Sequence, residues 1–224
     1  MRFVHQPAVL PYADLPTING EKGRLYCTPD GQRLPSITTV LGAGKKDSIK
    51  EWRDKVGHEQ ADRITRMAAA RGTALHNIME KYIRGDDDYM PRATMPHYKS
   101  LFNAIRPLID SNLEIVYAQE TPLYSNYLKV AGRVDLVGKY RGKNSVIDFK
   151  SSRVPKKKEW IESYFLQATY YAIAFEERTG IPVPQIVILM GVDESPTPIE
   201  FIEKRNNFVR PLQTSIASFY DQYC

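Results

Sequence analysis

Gly132-Arg133-Val134-Asp135-Leu136-Val137, followed by Val146-Ile147-Asp148-Phe149-Lys150-Ser151-Ser152, is the stretch that decides the fold. Both runs are apolar and of strand type, and each carries an aspartate in its middle. A carboxylate inside a strand is costly to bury unless a cation compensates it. Side chains two apart on a strand point the same way, so Asp148 and Lys150 share a face. Asp135 alternates with Val134 and Leu136 and faces away from them. Two carboxylates and a lysine converging on one spot outline a site for a divalent cation and a phosphate. The bland alternative is an internal ion pair of Asp148 or Asp135 with Lys150, but such pairs add little net stability.

Working outward, the turn Arg141-Gly142-Lys143-Asn144 joins the two runs, predicted as strands over 128–140 and 144–151. A strand over 114–124 precedes them and ends near Glu120. A helix over 158–178 follows, then strands over 185–192 and 198–204 and a closing helix over 209–222. Upstream, Arg24–Thr28 and Gln32–Leu34 flank the turn signal Pro29-Asp30-Gly31 and predict a hairpin. Ser48 and Glu51 have capping-box spacing and predict a helix to about Ala70. Gly72 is expected to break it, with a second helix from Thr73 to near Gly85 and another over 97–110. Residues 1–23 read as an extended arm. Helices alternating with strands predict an α/β fold: a central mixed sheet flanked by helices, with an N-terminal helical region. The expectation is a single domain over 1–224, with arm 1–23, hairpin and helices 24–110, and core 111–224.

The helix from Thr73 carries an apolar stripe of Leu75, Ile78, Met79, Tyr82 and Ile83. His76 lies at its edge with Glu80 one turn on. Alone, His76 reads as a half-buried histidine bonded to Glu80; with the downstream carboxylates it reads as a metal ligand. On the later helix, Ile161, Phe165, Ala168, Ala172 and Phe175 form the stripe. Gln167 and Tyr171 share one flank, either packing on a neighbour, or buttressing the lysine or touching DNA near the scissile phosphate. Asp135 and Asp148 offer the hard oxygens that suit Mg²⁺ or Mn²⁺, and the Phe149 carbonyl stands next to them. Such an ion polarises a phosphodiester and acidifies a water. Lys150, a compact cation, can orient the attacking group or neutralise the developing charge. The run Lys150-Ser151-Ser152-Arg153 with Lys156-Lys157-Lys158, and Arg66 and Arg71 upstream, offers contacts to a phosphate backbone.

Composition permits this reading without requiring it. The chain has 224 residues, 42% hydrophobic, and 31 basic against 26 acidic residues give a net charge of +5. That excess tolerates a polyanion. Cys27 and Cys224 form no Cys-x-x-Cys pair, which argues against a cysteine-built zinc or iron–sulfur centre and favours a reducing compartment over a disulfide. No apolar run approaches a membrane span. The expected setting is intracellular, in the cytoplasm.

The order Arg71-Gly72-Thr73-Ala74-Leu75-His76, Gly132-Arg133-Val134-Asp135, Ile147-Asp148-Phe149-Lys150-Ser151-Ser152, then Gln167 with Tyr171 resembles the PD-(D/E)XK nuclease superfamily. Within it the chain is similar to the RecB-like exonuclease branch, near the mitochondrial genome maintenance exonucleases and phage-encoded relatives. The likeness spans roughly residues 34–205, including Leu34–Leu41 and the helix from Trp52 to Gly57. It implies a restriction-endonuclease-like core and Mg²⁺- or Mn²⁺-dependent cleavage of DNA. It further implies His76, Asp135 and Asp148 as metal ligands, Lys150 as the catalytic lysine, and Gln167 and Tyr171 as supporting residues. Single-stranded DNA with a free end, threaded beneath the N-terminal helices, is the implied substrate. An endonuclease using the same site, or a catalytically silent DNA-binding module, are the alternatives. Glu80 and Glu120 either complete the metal shell or support the fold.

Overall fold

The computed structural model describes residues 3–21, 23–193 and 195–223. The elements in chain order are β1 (Val4–His5), β2 (Thr17–Gly20), β3 (Gly23–Cys27), β4 (Arg33–Pro35), α1 (Ile37–Ala43), α2 (Lys46–Val56), α3 (His58–Arg84) and α4 (Pro96–Asn112). They continue as β5 (Leu113–Ser125), β6 (Val130–Tyr140), β7 (Lys143–Ser152), α5 (Glu162–Thr179), β8 (Gln185–Val192), β9 (Ile199–Lys204) and α6 (Val209–Tyr223). A six-stranded sheet has the order β1-β5-β6-β7-β8-β9. Pairs β1/β5 and β7/β8 are parallel and the others antiparallel, so the sheet is mixed. A small antiparallel sheet, β2-β3-β4, sits beside it.

Alternation along the strands builds two cores. Val137, Val146, Ile186 and Ile188 pack with α1, α5 and α6 on one face. Leu136, Ile147, Phe149, Val187 and Leu189 pack with α3 and α4 on the other. The stripes on both helices are buried: Leu75, Ile78, Met79, Tyr82 and Ile83 on α3, and Phe165, Ala168, Ala172 and Phe175 on α5. Helices thus cover both faces, giving the expected α/β fold with its central mixed sheet. β6 and β7 are joined by Arg141 (φ 49°) and Gly142 (φ 76°), a pair of left-handed residues that suits the twist of a tight hairpin.

Several expectations need correction. The helix predicted from Ser48 begins at Lys46, and Ser48 Oγ donates to the Lys45 carbonyl at 3.0 Å instead of capping. The break falls at Gly57 (φ 92°), not Gly72, which lies inside the 27-residue α3. A glycine with room for a helical φ costs a helix about 1 kcal/mol and does not end it. Around Gly72 the strong helix formers Met67-Ala68-Ala69-Ala70-Arg71 carry the helix through. The predicted 158–178 helix begins at Glu162, after a 3₁₀ turn over Lys158–Trp160. Within the stretch expected as an extended arm, β1 joins the main sheet beside Ile115 and Val116, and β2 joins the small one. α1 escaped notice because Ile37-Thr38-Thr39-Val40 is β-branched. Ser36 starts it by accepting from Thr39 N–H at 3.1 Å.

α2 buries no side chain, and over 58–70 of α3 only Ala61 is buried, so this pair of helices stands off the sheet. Cys27 is a free thiol, and Cys224 lies outside the described residues. Among the described residues no helix is long and apolar enough to cross a membrane.

Candidate active site

The site is a fork in the sheet. The β6/β7 ladder runs from Tyr140↔Lys143 to Leu136↔Ile147 and stops. Beyond that point β6 stays with β5 (Val134↔Thr121), while β7 stays with β8 (Asp148↔Ile188, Lys150↔Met190). Asp135 lies in the opening. Its Oδ2 accepts from the Phe149 N–H at 2.9 Å, and its Oδ1 lies 3.4 Å from His76 Nδ1. The Phe149 ring meets His76 edge-on at 6.5 Å. His76 therefore reaches the site from α3 as its place on the stripe's margin suggested, but its partner is Asp135.

Asp148 is fully buried, and its Oδ2 lies 2.5 Å from Lys150 Nζ. This is the ion pair of the bland alternative, yet it leaves Asp148 Oδ1 buried without a hydrogen-bond partner. Burial pushes the Asp148 carboxyl up to about 6, and the charge of Asp135 adds to that against the pull of Lys150. Burial works against the Lys150 cation too, but Asp148 and Asp135 outweigh it and hold its pKa above the ordinary value. Burial would also lower His76; the bond and charge of Asp135 outweigh it and raise the imidazole. Asp135, despite its burial, is held below the usual carboxylate range by His76, Lys150 and the Phe149 N–H.

Glu120 completes the cluster from β5. It stands between the pairs Gln119↔Leu136 and Thr121↔Val134, hence across from Asp135, with a left-handed φ of 44°. A glutamate in that conformation is strained, and strain of this kind gathers at functional sites. The Arg133 guanidinium donates to the Glu120 carbonyl and, at 2.9 Å, to Asp14 Oδ1. Burial and the Asp135 charge raise the Glu120 carboxyl to about 7. Ligand atoms of His76, Glu120 and Asp135 all lie within 4.8 Å of one another. Glu80 is not in this group: its carboxylate pairs with Arg84 at 3.1 Å, and only its backbone carbonyl is used, accepting from Gln119 at 2.8 Å.

The donor set fits a divalent cation. It comprises one imidazole, three carboxylates and an unpartnered buried oxygen, with two carboxyls whose ionisation is resisted until a cation arrives.

The supporting residues fall into place unevenly. Gln167 lies beside the Tyr171 hydroxyl and eases its ionisation against the effect of burial, and Tyr171 is buried next to the carboxylates. Its ring lies against Gly132, where a Cβ would come within 2.9 Å of Tyr171 Cε1. The glycine of the first motif is there for that close approach. Arg71 donates to Asp193 Oδ2 at 2.7 Å and to Ser151 Oγ at 3.3 Å, so it ties α3 to the ends of β7 and β8. Ser152 Oγ donates to the Val154 carbonyl at 2.7 Å. Sequence reasoning missed Asp193 and also Tyr164, whose ring lies 5.1 Å from Lys150 Nζ. A tyrosine three positions before Gln167 on the same helix was the available signal for the latter.

Compared with protein families, residues 51–207 match the PD-(D/E)XK nuclease superfamily. No curated protein matches. Among solved structures the chain is similar to SSO0001, at 15% identity over 84% of each chain and a TM-score of 0.43, too loose a likeness to bear on function.

Proposed function

Because the chain belongs to the PD-(D/E)XK nuclease superfamily, whose members cleave nucleic acids with divalent metal ions, we propose that it is a DNA exonuclease of the RecB-like branch. It digests single-stranded DNA from a free end, in replication, recombination or repair. The observation that carries the reading is the buried fork, with Asp148 Oδ1 unpartnered beside Lys150 and the His76–Glu120–Asp135 group. The order of the four motifs supports the branch and, through it, the free-end substrate.

His76, Asp135 and Asp148 would hold the ion, Mg²⁺ or Mn²⁺, with Glu120, grouped with His76 and Asp135, and the Phe149 carbonyl as the remaining candidates. The ion supplies Lewis-acid polarisation of the phosphodiester and a more acidic water. Lys150 keeps its proton, because Asp148 and Asp135 face it. As a cation it is placed to orient the attacking water or to neutralise charge growing on the phosphoryl oxygens. The Tyr164 ring beside its ammonium keeps it aimed. Arg71, fixed by Asp193 and Ser151, and the exposed Lys50, Arg63 and Arg66 on the projecting helices guide the backbone. Water adds to phosphorus and gives up a proton to solvent, one P–O ester bond breaks, and the leaving alkoxide takes up a proton from solvent, so the net change is hydrolysis of one ester bond.

The test is end-labelled linear and circular single-stranded DNA, incubated with Mg²⁺, with Mn²⁺ and with EDTA. Loss of the linear strand alone, only with metal, is expected. Cutting of the circle would make the protein an endonuclease. No cutting of either would favour a silent binding module.

A further inference from the structure

The segment between β7 and α5 leaves the fork at Ser152 and rejoins the core at Ile161. Its cations Arg153, Lys156, Lys157 and Lys158 face a single acid, Glu159. Two of its apolar side chains stand in solvent, Val154 at 54% and Trp160 at 63% exposed. A tryptophan normally buries its large ring, so one held out on a fixed 3₁₀ turn needs a reason. Lys157 Nζ stands 5.6 Å from its ring centroid, and Lys158 is paired with Glu203. Arg153 and Lys156 have no ionic partner among the described residues. Both ends of the segment touch the site: Ser152 lies two residues past Lys150, and Tyr164, one turn beyond Trp160, lies beside the Lys150 ammonium.

Trp160 also forms one wall of a cavity of about 510 Å³ between α1, α5 and α6. Leu41, Leu166 and Phe219 give that cavity apolar walls, and Glu159 and Glu162 place carboxylates there. Set against one cation of the lining, Lys45, which donates to Ser163 Oγ at 2.9 Å, those two carboxylates make the cavity a poorer place for a phosphate than for a base, whose exocyclic amines they can accept from. The loop's cations do the opposite. The two chemistries sort one nucleotide, with its base to Trp160 and its backbone to Arg153 and Lys156.

We propose that Trp160 is a stacking platform for an unpaired nucleobase of single-stranded DNA, next to the bond that is cut. This rests on the nuclease reading and names what makes it selective for unpaired DNA. Base–aromatic stacking needs an open base face, which a duplex denies except at its ends. The platform therefore adds affinity for single strands only.

Binding is measured in EDTA, where nothing is cut, with a labelled single-stranded oligodeoxyadenylate and with a duplex of the same length. Trp52→Phe leaves Trp160 as the sole tryptophan. In that background the single strand is expected to quench its fluorescence and the duplex to leave it nearly unchanged. Trp160→Ala is expected to weaken single-strand affinity about tenfold, with duplex affinity changed less than about twofold, and Trp160→Phe to keep most of it. Absent quenching, equal loss for both substrates, or a phenylalanine variant as weak as the alanine one would overturn the proposal. Quenching without any metal-dependent cutting would leave the platform standing and remove the nuclease reading. Asp148-dependent cutting without quenching would remove the platform alone.

Discussion

Asp148 and Lys150 form a buried pair that leaves one carboxylate oxygen without a partner. Such a buried pair adds little net stability by itself. Asp148→Ala and Lys150→Ala should each reduce cleavage by at least about 10²–10³-fold, with single-strand binding in EDTA largely kept. Persisting cleavage in either variant, with thermal unfolding confirming the fold, would remove these residues from the site. Glu120 and Asp148 also make a statement about pH. Their folded-state pKa values, about 7 and about 6, are raised above the ordinary ones, so the folded protein binds protons more tightly than the unfolded chain. Stability of the metal-free protein must then fall as pH rises from about 4.5 to 7. His76, raised by Asp135, acts in the same direction. Urea midpoints in EDTA should show the decline, and Glu120→Gln should flatten it. Added Mg²⁺ or Mn²⁺ should stabilise more at pH 7.5 than at 5.5, since the metal favours deprotonated ligands. A flat profile in the parent protein would show that Glu120 is not held neutral.

Among elements, α3 shows how much a sequence can declare. Its apolar stripe, the hairpin turn at Arg141-Gly142 and the strand over 185–192 are local patterns, and each was readable. The helix break was not, because Gly57 and Gly72 look alike as letters and differ only in φ. Gly72 sits in regular helix with nothing within 4 Å of where a Cβ would stand. Gly72→Ala should stabilise the protein by about 0.5–1 kcal/mol. Gly57→Ala, forced to keep φ 92°, should destabilise it by about 1–2 kcal/mol. Opposite shifts in urea midpoint would confirm both, and matching shifts would place the break elsewhere. Gly132→Ala should displace Tyr171 or α1, since Ile37 Cγ2 lies only 3.1 Å from its added Cβ. A cost of about 1–3 kcal/mol is expected, with reduced cleavage. In the candidate site, the shared face of Asp148 and Lys150 and the marginal place of His76 were legible. The fork was not: it depends on Asp135 bonding to a backbone fourteen residues away in sequence. Nor was Glu120's place legible, which needs the β5/β6 register.

Over the whole molecule the net charge is a modest +5. The loop after β7 concentrates cations, with Arg153, Lys156, Lys157 and Lys158 against Glu159, while Glu80, Asp86 and Asp88 at and just past the end of α3 are taken up by Arg84 and Lys81. Single-strand affinity should therefore fall with salt, with a log–log slope of about −0.7 for each phosphate neutralised. A salt-independent affinity would mean those cations do not meet the backbone. The two residues of β1 have a different consequence. They lie parallel to β5, Val4 beside Ile115, and His5 Nε2 bonds the Ile83 carbonyl near the end of α3 at 3.1 Å. Closing that contact spans half the chain, so its loop entropy places it among the last to form. Until then β5 is an open edge, ready to pair with another molecule. β1 is thus a guard against aggregation: a chain that starts at Gln6 is expected to keep the fork and its chemistry yet precipitate more readily on refolding.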